Sequence, residues 1–264
     1  MLPIYYINLA NRRDRRAFME NQFSRLQLSG TRIEAVTPAD ISAEDIDRFC
    51  NPLRPSFLRR NELACTLSHE RCWQSMLDSG AERALVFEDD VRLASALPAF
   101  LKAVSQVDAE LIRIDALGGT IRVYPPHAEA GGIRLRKFRS TPIGAAGYVI
   151  SASAARKLLG DPDLRHRPVD LALYDPFDGP GARISRVLTD PALCQQVGEL
   201  DQKVGQSNIV ADGITHIYAQ RHPLRHRASK LRTGIRRGLR NAVDHFAQQK
   251  LGLERRLIPM ATEN

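Results

Sequence analysis

Aromatic residues make up 6% of the 264-residue chain, with a single Trp, and no apolar run approaches the roughly 18 residues needed to cross a bilayer. A membrane span is therefore not expected. The four cysteines, Cys50, Cys65, Cys72 and Cys194, contain no C-x-x-C pair, and a domain this large needs no disulfide staples. Reduced thiols are expected, with Cys65 and Cys72 sharing a helix face as small buried residues. The chain also lacks the basic-then-apolar order of a secretory signal, opening directly on Leu2-Pro3-Ile4-Tyr5-Tyr6-Ile7-Asn8-Leu9 with its arginines afterwards. A cytoplasmic location is the expectation from that order. No Gly-rich phosphate loop follows this first strand-like run, which argues against a nucleotidyltransferase, and no internal repeat is present.

Charge is present but unevenly placed. Residues 221–256 carry 11 Lys and Arg against two acids, Asp244 and Glu254, whereas residues 1–220 hold 27 of each sign. The net +8 therefore belongs to the end of the chain and not to its body. The expected organisation is a body over 1–220 and a basic amphipathic tail over 221–264. Leu231, Ile235, Leu239, Val243 and Phe246 form an apolar helical stripe flanked by Arg232, Arg236, Arg237 and Arg240. Such a helix suits an anionic membrane surface. Nucleic acid is the rival target, and the body offers neither a basic groove with interleaved aromatics nor a known binding module for it.

The body reads as alternating strands and helices, an α/β pattern. Strands are expected at 3–9, 31–36, 83–88, 110–114 and 183–188, with helices at 11–28, 61–77, 97–107 and 152–159. Asn61 is the expected cap and Gly80 the stop of the 61–77 helix. Residues 118–142 suggest an inserted antiparallel hairpin at a sheet edge, and a short helix is expected from Pro168-Val169-Asp170 to Tyr174. The small residues of Gly144-Ala145-Ala146-Gly147 would let a backbone or ligand approach closely.

The organising feature is Glu88-Asp89-Asp90, at the end of the apolar run Ala84-Leu85-Val86-Phe87. A short apolar run of this kind is a strand buried on both faces. Ligands of open α/β sheets bind beyond the carboxyl ends of such strands. Three adjacent carboxylates there either hold a hard divalent ion such as Mg2+ or Mn2+ or form a solvated acidic exit. Arg12, Arg13, Arg15 and Arg16 start the first helix, against the dipole preference for acids. Either Arg15, with Arg12 second, faces a nucleotide diphosphate, or the group is a solvated basic face. Ser68 and His69 lie beside core positions of the 61–77 helix, and a lone buried His is either a satisfied structural residue or a functional one.

Six stretches in order resemble glycosyltransferase family 25, the lipooligosaccharide and collagen galactosyltransferases. They are Ile7-Asn8-Leu9 with Asp14-Arg15-Arg16, Glu62 to His69 with Trp73, Val86 to Asp90, Gly147 to Ser151 with Ala155 and Leu158, Pro168-Val169-Asp170, and Pro191 with Gln195. Ala64 and Asn61 depart from glycines common in the family, and the part past about residue 220 falls outside the resemblance. The resemblance implies a GT-A type fold: a Rossmann-like mixed sheet with flanking helices, here with the basic C-terminal tail added. It implies a UDP-sugar donor, a divalent metal and an inverting transfer of a hexose. Galactose from UDP-galactose is the expected donor chemistry, with a lipid-linked lipooligosaccharide or other surface-glycan saccharide as acceptor.

On that reading Asp90 takes the metal and Glu88 the metal or the donor ribose. Asn8, Leu9, Arg12, Arg15, Ser68, His69, Glu88 and Asp89 edge the donor, and Asp170, then Asp115, is the base. The location implied is peripheral, on the cytoplasmic face of the inner membrane. The alternative is a non-catalytic nucleotide- or saccharide-binding module with a docking tail.

Overall fold

The computed structural model describes residues 2–54, 56–197, 242, 243, 246 and 248–262. The chain begins with β1 (Ile4–Asn8), α1 (Arg13–Arg25), β2 (Thr31–Glu34), α2 (Ala43–Phe49), α3 (Arg60–Asp78) and β3 (Arg83–Glu88). It continues through β4 (Val91–Leu93), α4 (Leu97–Ala103), β5 (Leu111–Arg113), β6 (Thr120–Ala130) and β7 (Ile133–Phe138). Then come β8 (Gly147–Ser151), α5 (Ala152–Leu159), α6 (Val169–Tyr174), β9 (Arg186–Asp190), β10 (Cys194–Gln196) and β11 (Glu254–Leu257).

Among the described residues, nine strands form one mixed sheet in the order β11-β6-β7-β9-β5-β8-β3-β1-β2, and β4 pairs with β10 in a small second sheet. The layout is the Rossmann-like mixed α/β sheet with flanking helices expected of a GT-A type fold. Both faces of the central strands are covered, so the strand period of two divides their side chains between two cores. Tyr5, Ile7, Ala84, Val86, Tyr148 and Ile150 join Trp73 and Met76 of α3 on one face. Ile4, Tyr6, Leu85, Phe87 and Val149 join Met19 and Phe23 of α1 and Phe100 of α4 on the other.

The position of the site follows from strand order. β1 pairs in parallel with β2 on one side and with β3 on the other, so the connection direction reverses between β1 and β3. A crevice opens at such a switch point, outside the carboxyl ends of the strands. β8 runs antiparallel to both β3 and β5, which leaves β3 and β5 parallel and brings the starts of the segments after them to the same edge. Gly147 of β8 lies opposite Phe87 there, and a Cβ on it would meet Cys194 Sγ and the Phe87 ring. The close approach foreseen for this glycine is thus made by core side chains.

Some expectations are corrected. Arg59, not Asn61, caps α3; its N–H donates to the Glu62 carboxylate at 2.8 Å, a bond that Asn61 is placed too late in the turn to make. The β6–β7 hairpin turns at Gly131 and Gly132, both at positive φ, but it is not the sheet edge. β11 pairs with Thr120 to Val123 outside it, ending before Pro125 and Pro126, which have no N–H to offer a neighbour. Residues 254–257 were expected in an appendage beginning at 221, whereas they complete the main sheet, with Leu253 and Ile258 buried beside them. The physical reason is apolar burial together with pairing of Arg256 with Asp190. The expected stripe from Leu231 to Phe246 lies outside the described residues except at Val243 and Phe246, which are exposed. Among the described residues no helix is long and apolar enough to cross a membrane.

Candidate active site

At the carboxyl end of β1, Asn8 lies beside the acidic triplet. Its Nδ2 donates to Asp89 Oδ2 at 2.6 Å and to the Arg12 carbonyl at 3.0 Å, while its Oδ1 accepts from Arg32 Nε at 3.0 Å. Leu9 is half-buried, and its carbonyl accepts from the Arg12 N–H at 2.9 Å to turn the chain into α1. Asn8 is 1% exposed, so it is a buried strut of the acidic triplet more than an open donor surface.

Arg15 sits where the triplet is, not where a diphosphate would be free to reach it. It is 6% exposed, with its guanidinium 2.9 Å from Asp89 Oδ1 and 3.2 Å from Asp90 Oδ2. The unfavourable arginine at the start of α1 is therefore answered by acids supplied 74 and 75 residues later. Arg12 stands at the rim, bound in a fork to Asp14 at 3.0 and 2.7 Å.

One arginine does not neutralise three acids. Burial raises the Asp89 carboxyl, with Asn8 and Arg15 pulling it back. Burial and then the Glu88 charge hold Asp90 up to about 6. Glu88 is the most open of the three, its side chain 26% exposed, and its Oε2 accepts from Gln196 Nε2 at 2.8 Å. The same amide nitrogen lies 3.4 Å from Asp90 Oδ1, so Glu88 and Asp90 face one another across a neutral donor. These two carboxylates are the oxygen ligands a hard divalent ion would use, and an ion bound by both would take the place of the Gln196 amide between them. Gln196 is the residue that sequence reasoning missed. The resemblance pointed to Gln195, but alternation along β10 presents the next side chain to the triplet, and only the β4–β10 pairing reveals it.

From α3, Ser68 is fully engaged in structure. Its hydroxyl donates to the Ala64 carbonyl at 2.7 Å and accepts from the Val36 N–H at 2.8 Å, and at 3% exposure it ties α3 to the segment after β2. His69 is 0% exposed, with Nδ1 2.8 Å from Tyr148 Oη and Nε2 3.8 Å from Glu88 Oε1. Cys65, His69 and Glu88 bring one ligand-type atom each within 4.8 Å of one another.

The two candidate bases differ in access. Asp115, two residues beyond β5, is 6% exposed and pairs with the buried Arg113 at 2.5 Å; burial pushes its carboxyl up to about 7 against the pull of that arginine. Asp170, at the start of α6, is half-buried, and its two oxygens accept from the Gly144 N–H at 2.9 Å and the Leu171 N–H at 2.8 Å. Arg113 also donates to the carbonyls of Ile143 and Gly144, at 3.1 and 2.7 Å, so the loop between β7 and β8 is pinned from both sides.

The family model for glycosyltransferase family 25 (LPS biosynthesis protein) matches residues 1–172, well over half of the chain. The chain belongs to glycosyltransferase family 25. Among curated family members, it is 30% identical over 210 residues to the lacto-N-neotetraose biosynthesis glycosyltransferase LgtB of Neisseria gonorrhoeae, with 73% of each chain covered. It is 26% identical over 262 residues to LgtE of the same organism, covering 93% of this chain and 90% of that one. That second likeness runs past residue 220, whereas the family model ends at residue 172. A 29% likeness over 187 residues links it to the human inactive glycosyltransferase 25 family member 3, covering 66% of this chain and 31% of that one. Family membership thus includes proteins named as inactive.

Proposed function

We propose that the protein is an inverting, metal-dependent hexosyltransferase that moves galactose from UDP-galactose to a lipid-linked saccharide of a surface glycan. The observation that carries this reading is the acidic triplet at the β1/β3 switch point, three carboxylates against one buried arginine. The family's description as LPS biosynthesis proteins and the lacto-N-neotetraose biosynthesis role named for LgtB and LgtE support a surface-glycan saccharide as acceptor.

In this reading Asp90 and Glu88 hold a divalent ion, Mn2+ or Mg2+, whose charge would stabilise the departing diphosphate. Arg15 holds Asp89 and Asp90 in place, and Asn8 fixes Asp89 from the other side. Leu9 and Arg12, at the rim of β1, edge the nucleotide. Asp170 is the base, because it is the more open of the two candidates and each of its oxygens keeps a lone pair beyond its one backbone donor. The acceptor hydroxyl oxygen forms the new bond to the anomeric carbon and gives its proton to Asp170. The bond from that carbon to the UDP oxygen breaks, and its electron pair leaves with UDP.

A panel of UDP-sugars incubated with Mn2+ tests the reading. UDP-galactose should be consumed, and chelation or Asp90→Ala should abolish the turnover. Undiminished turnover in Asp90→Ala removes the metal assignment. UDP binding with no hydrolysis or transfer from any donor would favour the second reading, a binding module, which the inactive human relative keeps open.

The basic stretch within 221–264 would hold the protein at an anionic inner leaflet on the cytoplasmic side. Because β11 belongs to the sheet, truncation at 220 would damage the body. Replacing Arg232, Arg236, Arg237 and Arg240 with Gln in the full chain, followed by cosedimentation with anionic vesicles, avoids that. Unchanged binding would rule out the membrane role.

A further inference from the structure

His69 is reached by a chain of hydrogen bonds whose direction the donor inventory fixes. Trp73 Nε1 carries a proton and has no lone pair to accept with, and it lies 2.8 Å from Tyr148 Oη. Tyr148 must accept there. Its single hydroxyl proton is then available to its other neighbour, His69 Nδ1, also at 2.8 Å. That proton has no other acceptor among the described residues, so His69 Nδ1 accepts it and the neutral ring bears its own proton on Nε2. That nitrogen is buried, has no hydrogen-bond partner among the described residues, and lies 3.8 Å from Glu88 Oε1.

We infer that Trp73, Tyr148 and His69 form a fixed donor chain that makes His69 a positioning residue for Glu88. One Glu88 oxygen accepts from Gln196 Nε2 and the other lies 3.8 Å from the His69 Nε2–H, so the carboxylate is bound by one donor and approached by a second. His69 and Trp73 sit four apart on α3 and present one face to Tyr148 of β8, whose ring stacks on the imidazole at 5.7 Å and 25°. The ring is held in both its plane and its tautomer. At 3.8 Å the pair is not hydrogen-bonded, and the positioning role requires the contact to tighten when substrate binds.

The same chain decides against a soft-metal site at Cys65, His69 and Glu88, although their ligand atoms lie close enough for one. Metal binding at Nε2 would move the ring proton to Nδ1. Tyr148 Oη would then face two donors, Trp73 and His69, with its own proton left without an acceptor in a fully buried place.

The role in turnover rests on the proposed transfer; the tautomer does not. Long-range proton–nitrogen NMR of the full chain labelled at its seven histidines, with His69 assigned by its loss in His69→Gln, reads the tautomer directly. A protonated Nε2 and a bare Nδ1 are expected, and Tyr148→Phe should shift both nitrogens. A bare Nε2, or an imidazolium at neutral pH, overturns the inference. Co2+ added to the protein should give no thiolate absorption band; a band lost in Cys65→Ser overturns it too.

In the donor assay, His69→Gln restores an amide donor near Nε2 and should keep kcat within about fivefold of the parent. His69→Leu, with melting temperature checked, should lose at least about tenfold in kcat with KM for the donor unchanged. Equal losses in both variants overturn the positioning role. If no donor is turned over at all, the proposed function fails, while the NMR and cobalt measurements still decide the inference.

Discussion

Two acids end parallel strands of the same sheet, and their surroundings could hardly differ more. Asp190 closes β9 at 2% exposure, met by Arg136 Nε at 2.7 Å and Arg256 Nε at 3.0 Å, with Glu254 pairing Arg136 in turn. Glu88 closes β3 beside Asp89 and Asp90, and the three share one buried arginine, Arg15, and the neutral donors Asn8 and Gln196. At β9 each buried charge has its counter-charge, and the result ties the last strand of the chain to the sheet. At β3 the charges are left in excess, and fold stability gives no reason to gather them. Balance marks a structural clamp, and imbalance marks a candidate functional site.

The contrast is broken most sharply by Asp90→Asn. Transfer should fall about 10^3-fold, the order expected when a charge-stabilising contact is lost, while the melting temperature holds or rises because a buried, repelled charge has gone. A turnover assay with Mn2+ beside a thermal melt checks both halves. The mirror experiment is Arg136→Met, which leaves Asp190 with only its half-exposed partner. Denaturant titration should show a loss of about 3 kcal/mol, with transfer per folded molecule unchanged.

The pH dependence sharpens the comparison next. Burial and the Glu88 charge hold Asp90 up to about 6 against an ordinary 3.8, so the folded chain keeps a proton that the unfolded chain releases between those values. Stability from this group is therefore highest below about pH 4 and is lost as pH rises through 6, by at most about 3 kcal/mol. Denaturation at pH 4.5 and 7.5 with chelator present, taken as the difference between parent and Asp90→Asn, isolates it. A slope of opposite sign would mean that Arg15 compensates Asp90 fully. The smallest effect belongs to Arg256→Ala. Its side chain is 37% exposed and Arg136 remains on Asp190, so about 1 kcal/mol is expected by the same titration.

Much of this was readable along the chain. The run from Arg83 to Glu88 and the helix from Ala152 to Leu159 with its Ser151 cap form where the pattern places them, because burial on both faces and a hydroxyl cap are local signals. The acids beyond β3 were legible for the same reason. Arg15 was legible as an anomaly but not as a solution, since its partners lie far away in sequence. Ser68 looked like a site residue because a polar side chain among core positions needs a partner, and its partner is the Val36 backbone. β11 was hidden by its company: a short strand behind a basic stretch looks like more of the tail.

By itself the sequence determined that an apolar strand would end in three carboxylates and that a helix carrying His69 and Trp73 would pack by one face. Spacing and burial propensity act over a few residues and need no knowledge of neighbours. Strand order decided the rest. Setting β3 between β1 and β8 brought Asn8 to the acids and Tyr148 to His69, and pairing β10 with β4 put Gln196, not Gln195, on the acids. Those choices depend on through-space contacts among segments up to about a hundred residues apart, and a linear pattern carries no record of them.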